Sequence, residues 1–220
     1  AIAAASLAQV HRATVIASGE QICLKIQYPG LAEVIDKDFD TVVNMLLLAR
    51  WIKAGRELDD WLESMRIQLH YEIDYLREAA MMARMSDYIA QDRDEGGQPT
   101  AAFYVPVLHS RFCSEKILAM EYIDGHLVTQ AEVAHLPQDR RNILGKRMLE
   151  LFFCELYRWG LLQTDSNFGN YLIRLDKRAR GNDELVMLDF GSILECDKAF
   201  LFHLGNTILA GQRDDRTLLV

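Results

Sequence analysis

No uninterrupted apolar run in this chain approaches the ~18–20 residues that a membrane-spanning helix needs. No C-x-x-C pair joins the four cysteines, Cys23, Cys113, Cys154 and Cys196, which stand far apart, two of them in apolar segments. That spacing excludes a disulfide framework or a zinc cluster and fits reduced, core-filling thiols in a cytosol-like compartment. The six histidines fall into no metal-ligand spacing. Positive charge is scarce too: a net charge of −8 argues against a nucleic-acid partner, which would favour a basic face. The compact basic run DKRARGND, Asp176 to Asp183, is flanked by turn-forming residues and reads as a solvated hairpin tip. Internal repeats and low-complexity tracts are missing. So is an initiator methionine: the chain opens in mid-motif with AIAAASLAQVH and reads as a fragment, so a missing targeting signal excludes nothing about its parent.

What is present is ordinary globular material, 50% hydrophobic and 25% charged over 220 residues, enough for one large domain or two small lobes. ATVIASGEQICLKIQYPG reads as a hairpin, with strands at 13–16 and 21–27, a turn at Ser18-Gly19 and a stop at Pro29-Gly30. Residues 31–55 and 57–90 carry helical patterns, and 92–100 form a loop. FYVPVLHSRFCSEKILAMEYIDG predicts two short strands leading to a turn at Asp124-Gly125. A long helix runs from about Pro137 to Trp159 with Gly160 as its stop, and NYLIRLD and ELVMLDFG are strands joined by the basic tip. Strands dominate the first half in this reading and helix the second, without a regular βαβ repeat. That is an α+β pattern in two lobes, residues 1–123 and 124–220.

Four polar features carry chemistry. In ICLKIQ, Lys25 alternates with Ile22, Leu24 and Ile26 and projects from the opposite face, either into water or towards a partner. Met65, Leu69, Glu72, Leu76, Ala79 and Ala83 follow one another at spacings of three and four, so Glu72 interrupts an apolar helical stripe. A carboxylate there needs a cation or has its head in water, and Lys25 is the candidate cation: a strand lysine paired with a helix glutamate positions ATP phosphates in kinases. Asp74 and Glu78 repel slightly on another face. LLQTDSNFGNYLI, Leu161 to Ile173, has the residues of a plain turn, but Asp165 and Asn170 keep the D-x-x-x-x-N spacing of a kinase catalytic loop. Nineteen residues beyond Asn170, Asp189 ends an apolar strand and is followed by Phe190-Gly191, as a Mg²⁺-binding aspartate would be. Each feature is weak alone; in this order they point to one nucleotide site.

AAASLAQVH precedes the hairpin where a kinase carries a glycine-rich phosphate loop. Alanine denies the backbone the freedom of glycine, so this is either a helix start or a different kind of nucleotide loop. With LKIQYPG, YEIDYLREAAMMARM, LAMEYIDG, LLQTDSNFGNYLI and MLDFGSI, it makes the chain resemble the UbiB/AarF/ADCK atypical kinases, also called ABC-one-type kinases, from Ala3 to Ile193. The resemblance implies a protein-kinase-like bilobal fold: an N-lobe sheet with helices and a truncated helical C-lobe. It implies Mg²⁺ and ATP as cofactors, with Ala3, Ala4, Ala5 and Ser6 over the phosphates and Lys25 paired with Glu72. Met120 would be the gatekeeper, Glu121 to Ile123 the adenine-binding hinge, Asp165 the catalytic aspartate, and Asn170 and Asp189 the metal ligands. Further implications are a phosphotransferase or ATPase activity tied to ubiquinone or isoprenoid-lipid metabolism, quinone-biosynthesis proteins as partners, and a cytoplasmic or organelle-matrix location with peripheral membrane contact. A nucleotide-binding pseudokinase scaffold is the alternative.

Departures from the family pattern are informative. Its N-terminal extension with the K-x-G-Q motif would precede Ala1, and Glu78, which would face that extension, is expected to lack its partner. QTD stands where kinases have HRD, and the chain ends about thirty residues after DFG. Phe39 to Ile52, with Val42, Leu46 and Ala49 on one stripe, reads as a helix packed on its own core or, less simply, as a membrane-surface helix.

Overall fold

A computed structural model describes residues 3–4, 7–48, 56–93, 103–165, 167–176 and 182–214. In chain order the elements are β1 (Ala3–Ala4), β2 (Ala8–Thr14), β3 (Gln21–Gln27), α1 (Leu31–Leu48), α2 (Arg56–Tyr71), α3 (Tyr75–Gln91), β4 (Phe103–Tyr104), β5 (Ile117–Glu121) and β6 (His126–Leu127). They continue with α4 (Ala131–Ala134), α5 (Gln138–Phe153), β7 (Leu161–Gln163), β8 (Tyr171–Arg174), β9 (Glu184–Met187), β10 (Ile193–Glu195) and α6 (Lys198–Arg213). The class is α+β, but its distribution differs from the expectation. Helices fill most of the stretch from Leu31 to Gln91, and five of the strands lie beyond Asp124.

The chain divides into two compact units. The first comprises Ala1–Met85, Val105–Asp124 and Asp189–Ser192; the second comprises Ser86–Tyr104, Gly125–Leu188 and Ile193–Val220. The expected ranges of 1–123 and 124–220 therefore differ from these units at Asp124, which goes with the first, and for two stretches. Residues 86–104 go with the second, and the four residues around Phe190 go with the first.

In the first unit a four-stranded antiparallel sheet has the order β1-β2-β3-β5. Ala3 pairs with Val10, so the alanine-rich opening enters as strand and not as a helix start; Ala5 and Ser6 lie outside the described residues. Gly19, at φ +73°, makes the turn between β2 and β3 that a residue with Cβ would resist. The core gathers Ile22, Leu118, Ala119 and Met120 from the sheet, Tyr75, Ala79 and Met82 from α3, and Phe190.

The long helix expected over 57–90 breaks in two. Residues 72–74 form a turn, and Asp74 caps the second helix by accepting the Arg77 N–H at 2.9 Å. The break resets the helical phase. Met65, Leu69, Leu76 and Ala83 of the expected stripe are exposed, and the buried face of α3 is Tyr75, Glu78, Ala79, Met82 and Met85. α1 buries none of its residues fully; half-buried Ile35, Phe39, Val43 and Leu46 line an apolar cleft with α2, and Arg66 bound to Asp36 and Asp40 and His70 bound to Asp36 join the two helices. Ala49 lies outside the described residues.

The second unit carries two small sheets beside its helices. The order β4-β9-β8-β6 pairs β4 parallel to β9 and the others antiparallel, and β7 pairs with β10. α5 continues through a π-helical turn, Cys154–Trp159, and Gly160 stops it in the left-handed region at φ 65°. Trp159 seals this end, stacked on Tyr88 and edge-on to Phe103. The tip read as solvated is anchored at its far end. Asp183 is fully buried; it takes a bidentate grip from Arg140 and the Asp176 N–H at 2.8 Å, while its carbonyl accepts from Arg147. The basic residues between, at 177–181, lie outside the described residues.

Candidate functional site

Strand β3 delivers Lys25 to the first unit's polar centre. Its Nζ lies 2.9 and 3.0 Å from the Glu78 carboxylate oxygens and 3.1 Å from Asp189 Oδ2. The lysine side chain is 13% exposed, Glu78 not at all and Asp189 33%. The wet-face alternative for Lys25 is therefore excluded. Burial pulls the ammonium down, but Glu78 and Asp189 together outweigh it and hold Lys25 well above its ordinary range. Burial pushes the Glu78 carboxyl up to about 7, against the pull of Lys25.

The ion-pair partner is thus Glu78, not Glu72; Glu78, expected to face an N-terminal extension, is engaged by Lys25. The phase reset at residues 72–74 is the cause: it leaves Glu72 exposed in the turn and puts Glu78 on the buried face one turn into α3. Glu72 instead accepts a hydrogen bond from Ser192 at 2.6 Å.

The Asp189-Phe190-Gly191 turn is held from several sides. Asp189 Oδ1 accepts the Gly191 N–H at 2.9 Å, which leaves Oδ2 for Lys25. Arg77 donates to the Gly191 carbonyl at 2.7 Å, and the Phe190 N–H points at Glu78. A Cβ at Gly191 would come within 3.3 Å of Asp189 Oδ1, so glycine allows the aspartate to fold back on its own turn.

On β5, Met120 is buried opposite Cys23. The Glu121 N–H goes to the Val107 carbonyl and the Tyr122 N–H to that of Gln21.

In the second unit, Asp165 and Asn170 meet. The Asn170 amide donates to Asp165 Oδ2 at 2.9 Å and to its carbonyl at 3.2 Å, which leaves the amide oxygen for a cation. A 3₁₀ turn, Phe168–Asn170, sets this spacing, with Asn167 accepting the Gly169 N–H. Two residues that sequence reasoning missed steady the loop. Gln163 Oε1 accepts the Asp165 N–H at 3.1 Å, and Glu155 Oε2 accepts the Gln163 N–H at 3.3 Å. The signal for Glu155 was a carboxylate inside the apolar run LFFCELYRW.

Among the described residues, no group of three or more histidine, cysteine, aspartate or glutamate side chains could hold a metal alone. A site with one carboxylate still partly exposed, at Asp189, and a lysine fixed beside it suits Mg²⁺. That ion binds through one or two carboxylates and takes its remaining ligands from substrate phosphates and water.

The profile of the ABC1 atypical kinase-like domain matches residues 1–220. Over 218 residues the chain is 32% identical to "Atypical kinase coq-8, mitochondrial" of Caenorhabditis elegans, covering 99% of this chain and 27% of that protein. Against "Atypical kinase COQ8, mitochondrial" of Schizosaccharomyces pombe the identity is 28%, with 98% and 33% covered. The chain thus spans a third or less of the length of these two relatives. Among solved structures it is similar to Rv3197 of Mycobacterium tuberculosis, solved in complex with erythromycin. The TM-score is 0.72 and the identity 25%, covering 99% of this chain and 51% of that one. No described helix is long and apolar enough to cross a membrane.

Proposed function

The chain belongs to the ABC1 atypical kinase-like family, and from that premise we propose that it binds Mg-ATP and transfers or hydrolyses the terminal phosphoryl group. The observation that carries this reading is Lys25 held between Glu78 and Asp189. Glu78, fully buried, fixes the lysine and keeps it charged, so that Nζ meets phosphate oxygens as a point charge. Asp189 and Asn170 are the metal ligands in this reading. The ion supplies neutralisation of the charge that develops on the phosphoryl oxygens.

Asp165 orients the attacking hydroxyl or water and accepts its proton. Its own position is fixed by Asn170 and by the chain Glu155–Gln163–Asp165. Ala3, Ala4, Ala5 and Ser6 cover the phosphates, and Met120 to Ile123 receive the adenine. The lobes of the kinase fold correspond to residues 1–123 and 124–220, with the exchanges noted for the two units. The acceptor belongs to ubiquinone or isoprenoid-lipid metabolism, and the protein works with quinone-biosynthesis proteins, peripheral to a membrane on its cytoplasmic or organelle-matrix side; the names of its relatives carry the word mitochondrial.

The test is turnover of ATP by native protein and by Asp165→Asn, which keeps the Gln163 and Asn170 contacts nearly isosteric. A lost general base lowers the rate by roughly 10²–10⁴-fold while nucleotide binding stays. Unchanged turnover in a variant that still binds ATP would remove Asp165 from the chemistry. A native protein that binds ATP without turning it over would favour a pseudokinase scaffold.

A further inference from the structure

Glu155 lines a cavity of about 230 Å³ wholly within the second unit, with apolar walls that include Leu151, Phe152 and Phe168 and a polar end formed by Glu155, Gln163 and Tyr171. None of the residues assigned above to phosphate, metal or adenine lines it. Glu155 is 3% exposed, and its Oε1 finds no hydrogen-bond partner among the described residues. A buried carboxylate oxygen without a donor is costly, and such an exception points to an occupant.

Four basic residues of this unit are engaged elsewhere. Arg158 binds Asp92, Arg140 and Arg147 bind Asp183, and Lys146 reaches Glu150. A single water would occupy about 30 Å³ and leave most of this volume unfilled. Gln163 already donates its backbone N–H to Glu155 and accepts the Asp165 N–H on Oε1. The Tyr171 phenol, pushed up to about 12 chiefly by burial, stays neutral, so Glu155 is the one group of this lining that can carry charge near neutral pH.

We propose that this cavity binds a small organic ammonium ion, a protonated amine on one aromatic ring or a short aliphatic body. The carboxylate meets the cation, while Phe152, Phe168 and Tyr171 offer the aromatic surface that attracts a desolvated ammonium. Phe152 and Phe168 are 45% and 53% exposed, so the cavity is reachable from solvent. Size narrows the class. The volume exceeds the ~150 Å³ that accommodates benzene and falls below the ~300 Å³ at which drug-sized pockets begin. A nucleotide is too large. Burial pushes the Glu155 carboxyl up to about 7, so at pH 8 it is mostly ionised while an alkylamine is still protonated.

The probe is phenethylamine at pH 8, with 2-phenylethanol as its uncharged counterpart, titrated into the full ¹⁵N-labelled protein. The expected result is saturable movement of the Gln163 and Tyr171 amide signals, with the amine binding roughly tenfold tighter than the alcohol. Glu155→Gln, which keeps the side-chain shape, abolishes that preference; the wild-type comparison of amine with alcohol stands even if the variant fails to fold. Absence of saturable shifts, equal affinity for amine and alcohol, or an unchanged preference in a folded Glu155→Gln variant would each overturn the proposal. None of these readouts depends on ATP.

Discussion

Replacing Lys25 by methionine lowers the unfolding free energy by about 2–3 kcal/mol at pH 8 and by about 1 kcal/mol at pH 5. The methionine fills nearly the same volume, so packing changes little. What is lost is the cation 2.9 Å from a carboxylate with no exposure at all. Removing one partner of a buried pair forces the other to take up a proton or stay charged without a partner, and at pH 8 that is the expensive half of the interaction.

The pH dependence follows from the direction of the Glu78 shift. Burial raises this carboxyl from its ordinary 4.5 to about 7 in the folded protein. A raised carboxyl favours the fold in its protonated form, so its contribution is full below about 4.5 and is lost as pH climbs through about 7. Without Lys25 the carboxyl rises further. At pH 5 it is then neutral in both proteins, and the variant has lost little more than a hydrogen bond, about 1 kcal/mol. Urea unfolding at the two pH values measures both numbers. Equal stability of variant and native protein at pH 8 would mean that Glu78 finds water or another donor and that the pair is not structural.

Asp183→Ala costs about 3–5 kcal/mol in the other unit. Asp183 lies fully buried at the foot of β9, where it gathers Arg140 and the Asp176 N–H, and its backbone carbonyl takes Arg147. Alanine leaves the Arg140 guanidinium, 13% exposed, without its counter-charge. Asparagine in place of aspartate keeps one acceptor and costs about 1–3 kcal/mol. Hydrogen exchange at the β8 and β9 amides locates the loss. A change below about 1 kcal/mol for Asp183→Ala would show that Arg140 swings into solvent at no cost.

The local signals in the sequence were read well where one residue governs one conformation. Gly160 stops α5 at a positive φ, and the turn ahead of β3 falls on Gly19. D-x-x-x-x-N brings Asn170 onto Asp165, and the alternation in ICLKIQ presents Lys25 to the site. Where a phase had to be carried across a break, the reading failed. Residues 72–74 look helical by periodicity, because Met65 to Ala83 keeps its spacing straight through them. The decisive feature is Asp74, whose side chain caps a new helix and costs the old stripe its meaning. Glu78, read beforehand as an acidic group awaiting an absent partner, became the centre of the site through that rotation.

Asp183 was misjudged for a related reason. Turn-forming composition around a basic run predicts solvation, yet the residue's role is set by Arg140 and Arg147, far away in sequence on α5. Glu155 and Gln163 were invisible as a relay because their contacts run backbone to side chain, which no residue-type spacing encodes.

The most direct test of the central claim is the thermal midpoint of the native protein with and without Mg-ATP, beside that of Asp189→Asn. A ligand that binds only the folded state stabilises it by about 2.7 kcal/mol at a concentration of 100 Kd. The asparagine still accepts the Gly191 N–H and leaves the Lys25–Glu78 pair intact, so the variant folds but loses a carboxylate for the metal. The account predicts a rise of several degrees for the native protein with Mg-ATP and little or none for the variant. An equal response in both would take Asp189 out of the metal site, and no response in either would contradict a nucleotide site built on Lys25, Glu78 and Asp189.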